Sequence, residues 1–300
     1  EQIKLLGIVS NFKQFLEAVM FGDTLENIAR LDSEQALSHW HQENQANQGD
    51  FSLFLALSQA LSLQGRGSSQ NNFLSFPAYP SAVGHLYPGG VAIKGNFAPL
   101  NTALIDEQLD YSKLYGSHAH PSSGLTQPDT SKEGAYTWSK APRYDGHVME
   151  TGAIARQYIA REPLAVSLVS SSGSNIHNRI VLRLVEMAKL VLQIEQWLTE
   201  IKPNDSFCHH QSLPREGQGM GLSEAARGAL GHWIRVENGK IANYQLVAPT
   251  SWNFSPRDNQ GHPGALEYAL AGIDYQSERD KQMLQHIIRS FDPCMLCTVH

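Results

Sequence analysis

Apolar residues recur at helical spacing from Ile3 to Met20, and Phe21-Gly22-Asp23 ends the run. Ser33 is placed to cap a second helix through His41, with Ala36 three residues on and so no capping box. Asp50 or Ser52 starts a third, reaching Leu63. Gly65 to Asn72, rich in Gly, Ser, Asn and Gln, reads as an exposed loop. Gly84 to Pro99 is rich in glycine and proline, and Tyr87-Pro88-Gly89-Gly90 carries turn chemistry. Thr137 to Gly146 leads from a strand into a turn, and Ile154 to Ala160 is a short helix. The strongest helical signal spans Asn175 to Lys202: Val181, Leu184, Val185, Ala188, Val191, Leu192 and Leu198 recur along it, and Pro203 stops it. Trp233-Ile234-Arg235-Val236, a turn at Asn238-Gly239 and Ile241 to Val247 read as a β-hairpin. Ser277, with Asp280 three residues on, opens a last helix that runs to about Ser290.

This pattern predicts an α+β chain, mainly helical, with long core helices and small β-hairpin elements. Residues 1–83 read as helical, 84–174 as rich in loops and strands, and 175–300 as a core helix followed by site segments. Three hundred residues suffice for a sizeable core. A hydrophobic content of 41% with 17% charged residues excludes a disordered chain. A net charge of −6 gives no reason to expect nucleic acid. No uninterrupted apolar stretch reaches the roughly 20 residues of a membrane span; the longest, Ile180 to Ile201, is broken by Arg183, Glu186, Lys189 and Glu195. The chain opens without a signal peptide. Three cysteines make no disulfide framework.

Two of the cysteines, Cys294 and Cys297, stand at C-x-x-C spacing, and the sequence ends on His300. Thiolates so spaced can point at one centre, in a redox pair, a partial zinc site or another metal site. No second pair stands at ribbon or finger spacing, and the pair follows a helix-like run instead of opening one after a strand. Other candidates have plainer readings. His118 and His120 lie in a Ser-, Gly- and Pro-rich loop and read as solvated; Cys208, beside His209 and His210, reads as a surface thiol. Arg143 reads as half of a structural ion pair. Gly217, Gly219 and Gly221 lack the context of a phosphate cradle and read as places where the backbone passes a crowded centre.

Asp292-Pro293-Cys294-x-x-Cys297-x-x-His300 resembles the C-terminus of the large subunit of nickel–iron hydrogenases. Glu216 to Trp233, which includes Glu224-Ala225-Ala226-Arg227-Gly228, resembles that family's Gly-rich segment with its active-site arginine. Val247-Ala248-Pro249-Thr250-Ser251-Trp252-Asn253, Lys140 to Gly146 and Tyr87 to Val91 resemble further blocks, in family order. The resemblance implies a hydrogenase large-subunit-like fold, with the small β elements around a metal site. It also implies reversible heterolytic cleavage of H2 at a Ni–Fe centre carrying CO and two CN ligands. Cys294 would be a terminal nickel ligand and Cys297 a bridge to iron; thiolates suit both metals. Arg227, with five donors and a fixed charge, would face one cyanide, and Pro249 and Thr250 the other. Asp292 would orient Arg227. His300, with the backbone carbonyl of Leu246, would bind magnesium (or iron). Ala226 stands where the family often has proline.

The family's N-terminal Arg-x-Cys-x-x-Cys motif is missing. The expectation is therefore a C-terminal portion, either part of a naturally split subunit whose N-terminal half is carried by a separate chain or segment, or a fragment of a longer one. A small subunit would hold the iron–sulfur clusters, since this chain lacks the cysteines for one. The expected place is the cytoplasm, or a membrane periphery reached through partners, with the periplasm left open. Alternatives are an H2-sensing regulatory hydrogenase, an inactive hydrogenase-derived subunit of a respiratory complex, and a zinc-binding module. Cys294, Cys297, Arg227 and His300 argue against the inactive relative, which needs none of them. On this reading Cys294→Ser leaves the assembled protein without nickel. Elemental analysis of the purified variant checks it, and a normal nickel content removes Cys294 from the ligands.

Overall fold

In the computed structural model, residues 2–44, 49–81, 84–116, 118–202, 206, 208, 211–273 and 276–294 are described. The chain opens with α1 (Gln2–Phe15), which widens into a π-helical turn, Leu16–Phe21, and ends at Gly22 with φ 65°. Helices α2 (Leu25–Ala29), α3 (Glu34–Glu43) and α4 (Asp50–Ala60) follow. Ser33 caps α3 by accepting the Ala36 N–H, as its position predicts. Short strands come next: β1 (Asn72–Ser75), β2 (Ala78–Ser81), β3 (Gly84–Tyr87), β4 (Gly90–Ile93), β5 (Asn96–Ala98), β6 (Ile105–Gln108), β7 (Leu114–Tyr115), β8 (Gln127–Pro128) and β9 (Ala141–Tyr144). They pair as the antiparallel sheet β1-β4-β5 and the ribbons β2-β3, β6-β9 and β7-β8.

Helices α5 (Ala153–Ile159), α6 (Pro163–Ser172) and α7 (Ile176–Glu200) lead to a three-stranded antiparallel sheet of β10 (Gly217–Ala225), β11 (Gly228–Glu237) and β12 (Lys240–Val247). The described chain closes with α8 (Pro249–Asn253), α9 (Ala265–Leu270) and α10 (Glu278–Ser290). Ser277 and Asp280 form the reciprocal cap that opens α10. Strands β1 and β2 thus begin inside the stretch read as helical, and α5 and α6 lie inside the one read as loops and strands.

Helix α7 is the spine. Val181, Leu182, Val185, Ala188 and Val191 pack with Phe21, Leu25, Ile28, Phe51, Ile154, Leu164 and Leu168 into the largest apolar cluster. A second cluster joins β1, β4, β11, β12 and α8 through Leu74, Val91, Trp233, Val247 and Trp252. A third seats α10 and α9 through Ile287, Phe291, Ala265 and Ile176. The Gly65–Asn72 stretch is exposed, as read, at Gly65, Arg66 and Ser68 only. Gly67, Ser69 and Asn72 are buried, because Ser69 donates to the buried Glu150 carboxylate (2.5 Å) and Asn72 begins a core strand.

His177 is buried on α7, with Nδ1 2.7 Å from Ser58 Oγ. Burial pushes its imidazole down to about 4, against a weaker upward pull from Glu34. The folded state therefore holds it neutral, while the unfolded chain takes up a proton below 6.5. Its contribution to stability is intact above that pH and falls as pH drops toward 4, by about 1.4 kcal/mol per unit. Urea unfolding between pH 7 and 5 should show this slope, and His177→Gln should flatten it.

Candidate metal centre

The hairpin sets the distances. β11 begins at Gly228, directly after Arg227, and β12 ends at Val247, just before Pro249 and Thr250 open α8. Gly231 pairs with Val247, so Arg227 and Thr250 leave the same end of the sheet. α10 delivers the third segment. Its end is set by Asp292, whose N–H donates to the Arg289 carbonyl (3.0 Å) and whose φ of 54° is left-handed, a conformation that Asp tolerates better than most residues. Pro293 prevents further helix, and the Cys294 N–H donates to Thr250 Oγ1 (3.3 Å).

The sequence candidates converge here. Arg227 Nε stands 3.4 Å from Asp292 Oδ1, and Arg183 Nε 3.7 Å from Oδ2, so one carboxylate lies between two guanidinium groups. The Arg227 and Asp292 side chains are 43% and 32% exposed, whereas Pro249 and Thr250 are buried. Thr250 Oγ1 accepts from Cys294 and keeps its own proton to donate. Leu246 lies further along β12, opposite His232. Cys297 and His300 lie outside the described residues, and no group of three or more His, Cys, Asp or Glu among the described residues is placed to hold a metal. The residues present fit a thiolate-held centre with anionic ligands: a cysteine, a buried hydroxyl with a proton to give and a half-exposed guanidinium meet at one place.

Periodicity gave no sign of what holds these segments. Arg179, Arg183 and Glu186 stand at i, i+4 and i+7 on α7, among positions read only as core. Arg179 grips Glu150 (Nε–Oε1 2.7 Å, Nη2–Oε2 3.2 Å) and donates to the Gly67 carbonyl (2.8 Å) and Ser290 Oγ (3.2 Å). Its guanidinium lies 3.6 Å over the Phe291 ring. Arg183 donates to the Ser290 carbonyl (2.7 Å). The end of α10 is thereby tied to α7. Arg156 on α5 makes the matching tie to Glu186, Glu224 and the Ala225–Ala226 backbone. Burial pushes Glu224 up to about 7, against the charge and hydrogen bonds of Arg156.

The glycine pressed against backbone beside Arg227 is Gly228, not Gly217, Gly219 or Gly221. The last three lie exposed on β10, where an added Cβ meets nothing within 3.4 Å, so their reading as residues passing a crowded centre is corrected. Gly228 has φ 130°, and a Cβ there would sit 2.5 Å from Thr151 Oγ1 and 2.7 Å from the Gly152 nitrogen. Thr151 is locked in turn by Asn253, which accepts its N–H (2.9 Å) and donates to its carbonyl (3.1 Å). The glycine of the turn at Tyr87 also has a packing reason, since a Cβ on Gly89 would reach within 2.7 Å of the Pro77 ring.

A second polar cluster flanks Leu246. Lys140 Nζ pairs with buried Glu107 (3.1 Å) and donates to Gln245 Oε1 (2.6 Å), which also accepts from Thr126 Oγ1 (2.9 Å). Burial raises the Glu107 carboxyl above its ordinary range, against the opposing pull of Lys140. Glu107, Lys140, Gln245 and Leu246 line one cleft. No local motif marks Glu107 or Gln245; only the pairing of β6 with β9 brings Glu107 near Lys140. Arg143 is the predicted structural ion pair, fully buried with Nε 3.4 Å from Asp258 Oδ2. His120 is held by Ser122 Oγ (2.7 Å) and the Thr102 carbonyl (3.1 Å).

The fold and these segments match part of a hydrogenase large subunit. The sequence model of the nickel-dependent hydrogenase family matches residues 24–300, and the chain belongs to that family. It is 32% identical to the hydrogenase-1 large chain of Citrobacter freundii, over 79% of this chain and 49% of that protein. It is 30% identical to the periplasmic NiFeSe hydrogenase large subunit of Desulfomicrobium baculatum, over 78% of this chain and 50% of that protein. The reduced Ni-Fe-Se hydrogenase structure from Desulfovibrio vulgaris Hildenborough superposes with a TM-score of 0.74 at 30% identity, covering 90% of this chain and 62% of that one. The chain spans about half the length of the curated relatives it matches. The mainly helical α+β large-subunit fold implied by the resemblance is the fold observed. No helix among the described residues is long and apolar enough to cross a membrane.

Gly228→Ala should cost more than about 2 kcal/mol, through a forbidden φ and the Thr151 contact. Gly221→Ala, with nothing within 4 Å, should stay within about 0.5 kcal/mol. Urea unfolding of the two variants checks the contrast.

Proposed function

We propose that this chain is the C-terminal portion of the catalytic subunit of a nickel–iron hydrogenase, which cleaves H2 reversibly to protons and electrons. The observation that carries this reading is the meeting of Arg227, Asp292, Thr250 and Cys294, delivered by three separate segments of the chain. When bound, the nickel–iron centre supplies the Lewis acid that polarises H2 and takes up its electrons. Cys294 and Cys297 hold that centre through their thiolates. Thr250 donates its remaining hydroxyl proton, and Arg227 its guanidinium donors, to the anionic cyanide ligands. Asp292, between Arg227 and Arg183, orients the Arg227 fork and keeps a carboxylate near the proton released.

His300 and the Leu246 carbonyl hold a magnesium or iron ion. The Glu107–Lys140–Gln245 cluster beside Leu246 supplies the polar surroundings such an ion needs. A further chain or segment carries the N-terminal half of the subunit, and a small subunit with iron–sulfur clusters carries electrons away. The assembly lies in the cytoplasm or the periplasm, or reaches a membrane through these partners.

An infrared spectrum of the purified assembly tests the reading, since metal-bound carbon monoxide and cyanide absorb where protein does not. Bands that shift under H2 are expected. Their absence, with nickel also absent, sinks it. Arg227→Lys should keep the centre, with its cyanide bands displaced, while lowering turnover by about 100-fold, because an ammonium cannot reproduce the planar fork. Unchanged turnover removes Arg227 from the mechanism.

A further inference from the structure

Arg156 is not among the residues assigned to the centre, yet its donors end on the backbone that carries one of them. All five of its N–H groups are used. Nε and Nη2 grip Glu186 at 2.8 and 2.6 Å, and Nη1 reaches Glu224 at 2.7 Å. The remaining two go to the carbonyls of Ala225 and Ala226, each at 3.0 Å. The guanidinium is buried, and the Glu224 side chain is 1% exposed. Glu224 also accepts the Phe76 N–H (2.8 Å) and the Ser75 hydroxyl (3.3 Å), which ties the end of β10 to the end of β1.

Neutralising a buried arginine needs one carboxylate, and Glu186 alone supplies it in a bidentate fork. The other three bonds all run to residues 224–226, immediately before Arg227. On the far side Gly228 is pressed against Thr151 and Gly152, four or five residues before Arg156. The Arg227 backbone is thus held from both sides by one stretch of chain at the start of α5. Ala226 brings no φ restraint of its own, unlike a proline, so the restraint at that position comes from hydrogen bonds. A lysine has neither the reach nor the planar fork to serve two carboxylates and two carbonyls together.

We propose that Arg156 is a positioning residue: by holding the Ala225 and Ala226 carbonyls against α5 and α7, it sets where the Arg227 guanidinium stands relative to Asp292 and Cys294. This rests on the reading of Arg227 as the hydrogen-bond donor to a cyanide of the nickel–iron centre. Two readouts on the whole assembly separate the two ideas: hydrogen exchange over residues 222–230, followed by mass spectrometry, and the position of the cyanide infrared bands.

In Arg156→Lys, nickel content should match the parent, exchange over 222–230 should rise about tenfold with the rest of the chain unchanged, and the cyanide bands should move. Unchanged exchange over 222–230 overturns the proposal. Faster exchange with bands at the parent positions also overturns it, leaving Arg156 a structural tie only. If Arg156→Lys loosens the entire chain, Glu224→Gln decides, because it keeps the shape and the contact with Phe76 while weakening the bond to Arg156. It should show the same local signature, and parent-like exchange and bands in it overturn the proposal. A parent assembly without infrared bands sinks the reading of the centre by itself, and the exchange comparison still decides whether Arg156 holds the loop.

Discussion

The candidate centre depends on two buried arginines that tie loops to helices. Arg156 holds the backbone before Arg227, and Arg179 holds the end of α10 before Asp292 and Cys294. Both ties converge on α7, which supplies Glu186 to the first and Arg179 itself to the second. Burying an ion pair costs desolvation, so such pairs add little net stability when complete. Breaking one is expensive, because the partner left behind is a charge in a dry place. That asymmetry suits a site scaffold. It gives the turn between β10 and β11 and the end of α10 one permitted arrangement.

Steric limits complete what the charges begin. The Thr151–Gly152 backbone crosses Arg227–Gly228 so closely that only glycine fits at 228, and Asn253 clamps Thr151 from the α8 side. The β11–β12 hairpin brings Arg227 and Thr250 to one end of a sheet, and Trp233, Val247 and Trp252 bury its inner face. The side chains that meet there remain partly open: Arg227 and Asp292 are the exposed members of a site whose supports are almost wholly buried. The chain spans about half the length of its relatives, and its own fold already orders the segments that resemble the family's site.

Much of this was legible in the sequence. The α7 helix, the hairpin with its Asn238-Gly239 turn, the Ser277–Asp280 cap and the short helix after Gly152 all follow from local rules of period, turn chemistry and capping. The candidate site residues were legible for a different reason: Asp-Pro-Cys-x-x-Cys-x-x-His and Glu-Ala-Ala-Arg-Gly are motifs with a family resemblance. Strand β10 was not legible, because three glycines in five residues suggest a loop and only its register with β11 makes it a strand. The buried positions of the Gly65–Asn72 stretch, Gly67, Ser69 and Asn72, were missed likewise, since its polar residues find partners far along the chain, such as Ser69 with Glu150.

By itself the sequence determined the mainly helical α+β class, the family, and the cysteine, arginine and aspartate types that a thiolate metal centre needs. Only the tertiary structure decided which charged residues of α5 and α7 hold the segments of the candidate site. Arg156, Arg179 and Glu186 occupy positions that a helical period reads as core or boundary, and their partners stand 29 to 112 residues away. Spacing within a helix records which face is buried, and it carries no information about what that face meets. The assignment of an arginine to a carboxylate or a loop carbonyl is a matter of distance in space, and it exists only after the chain has packed.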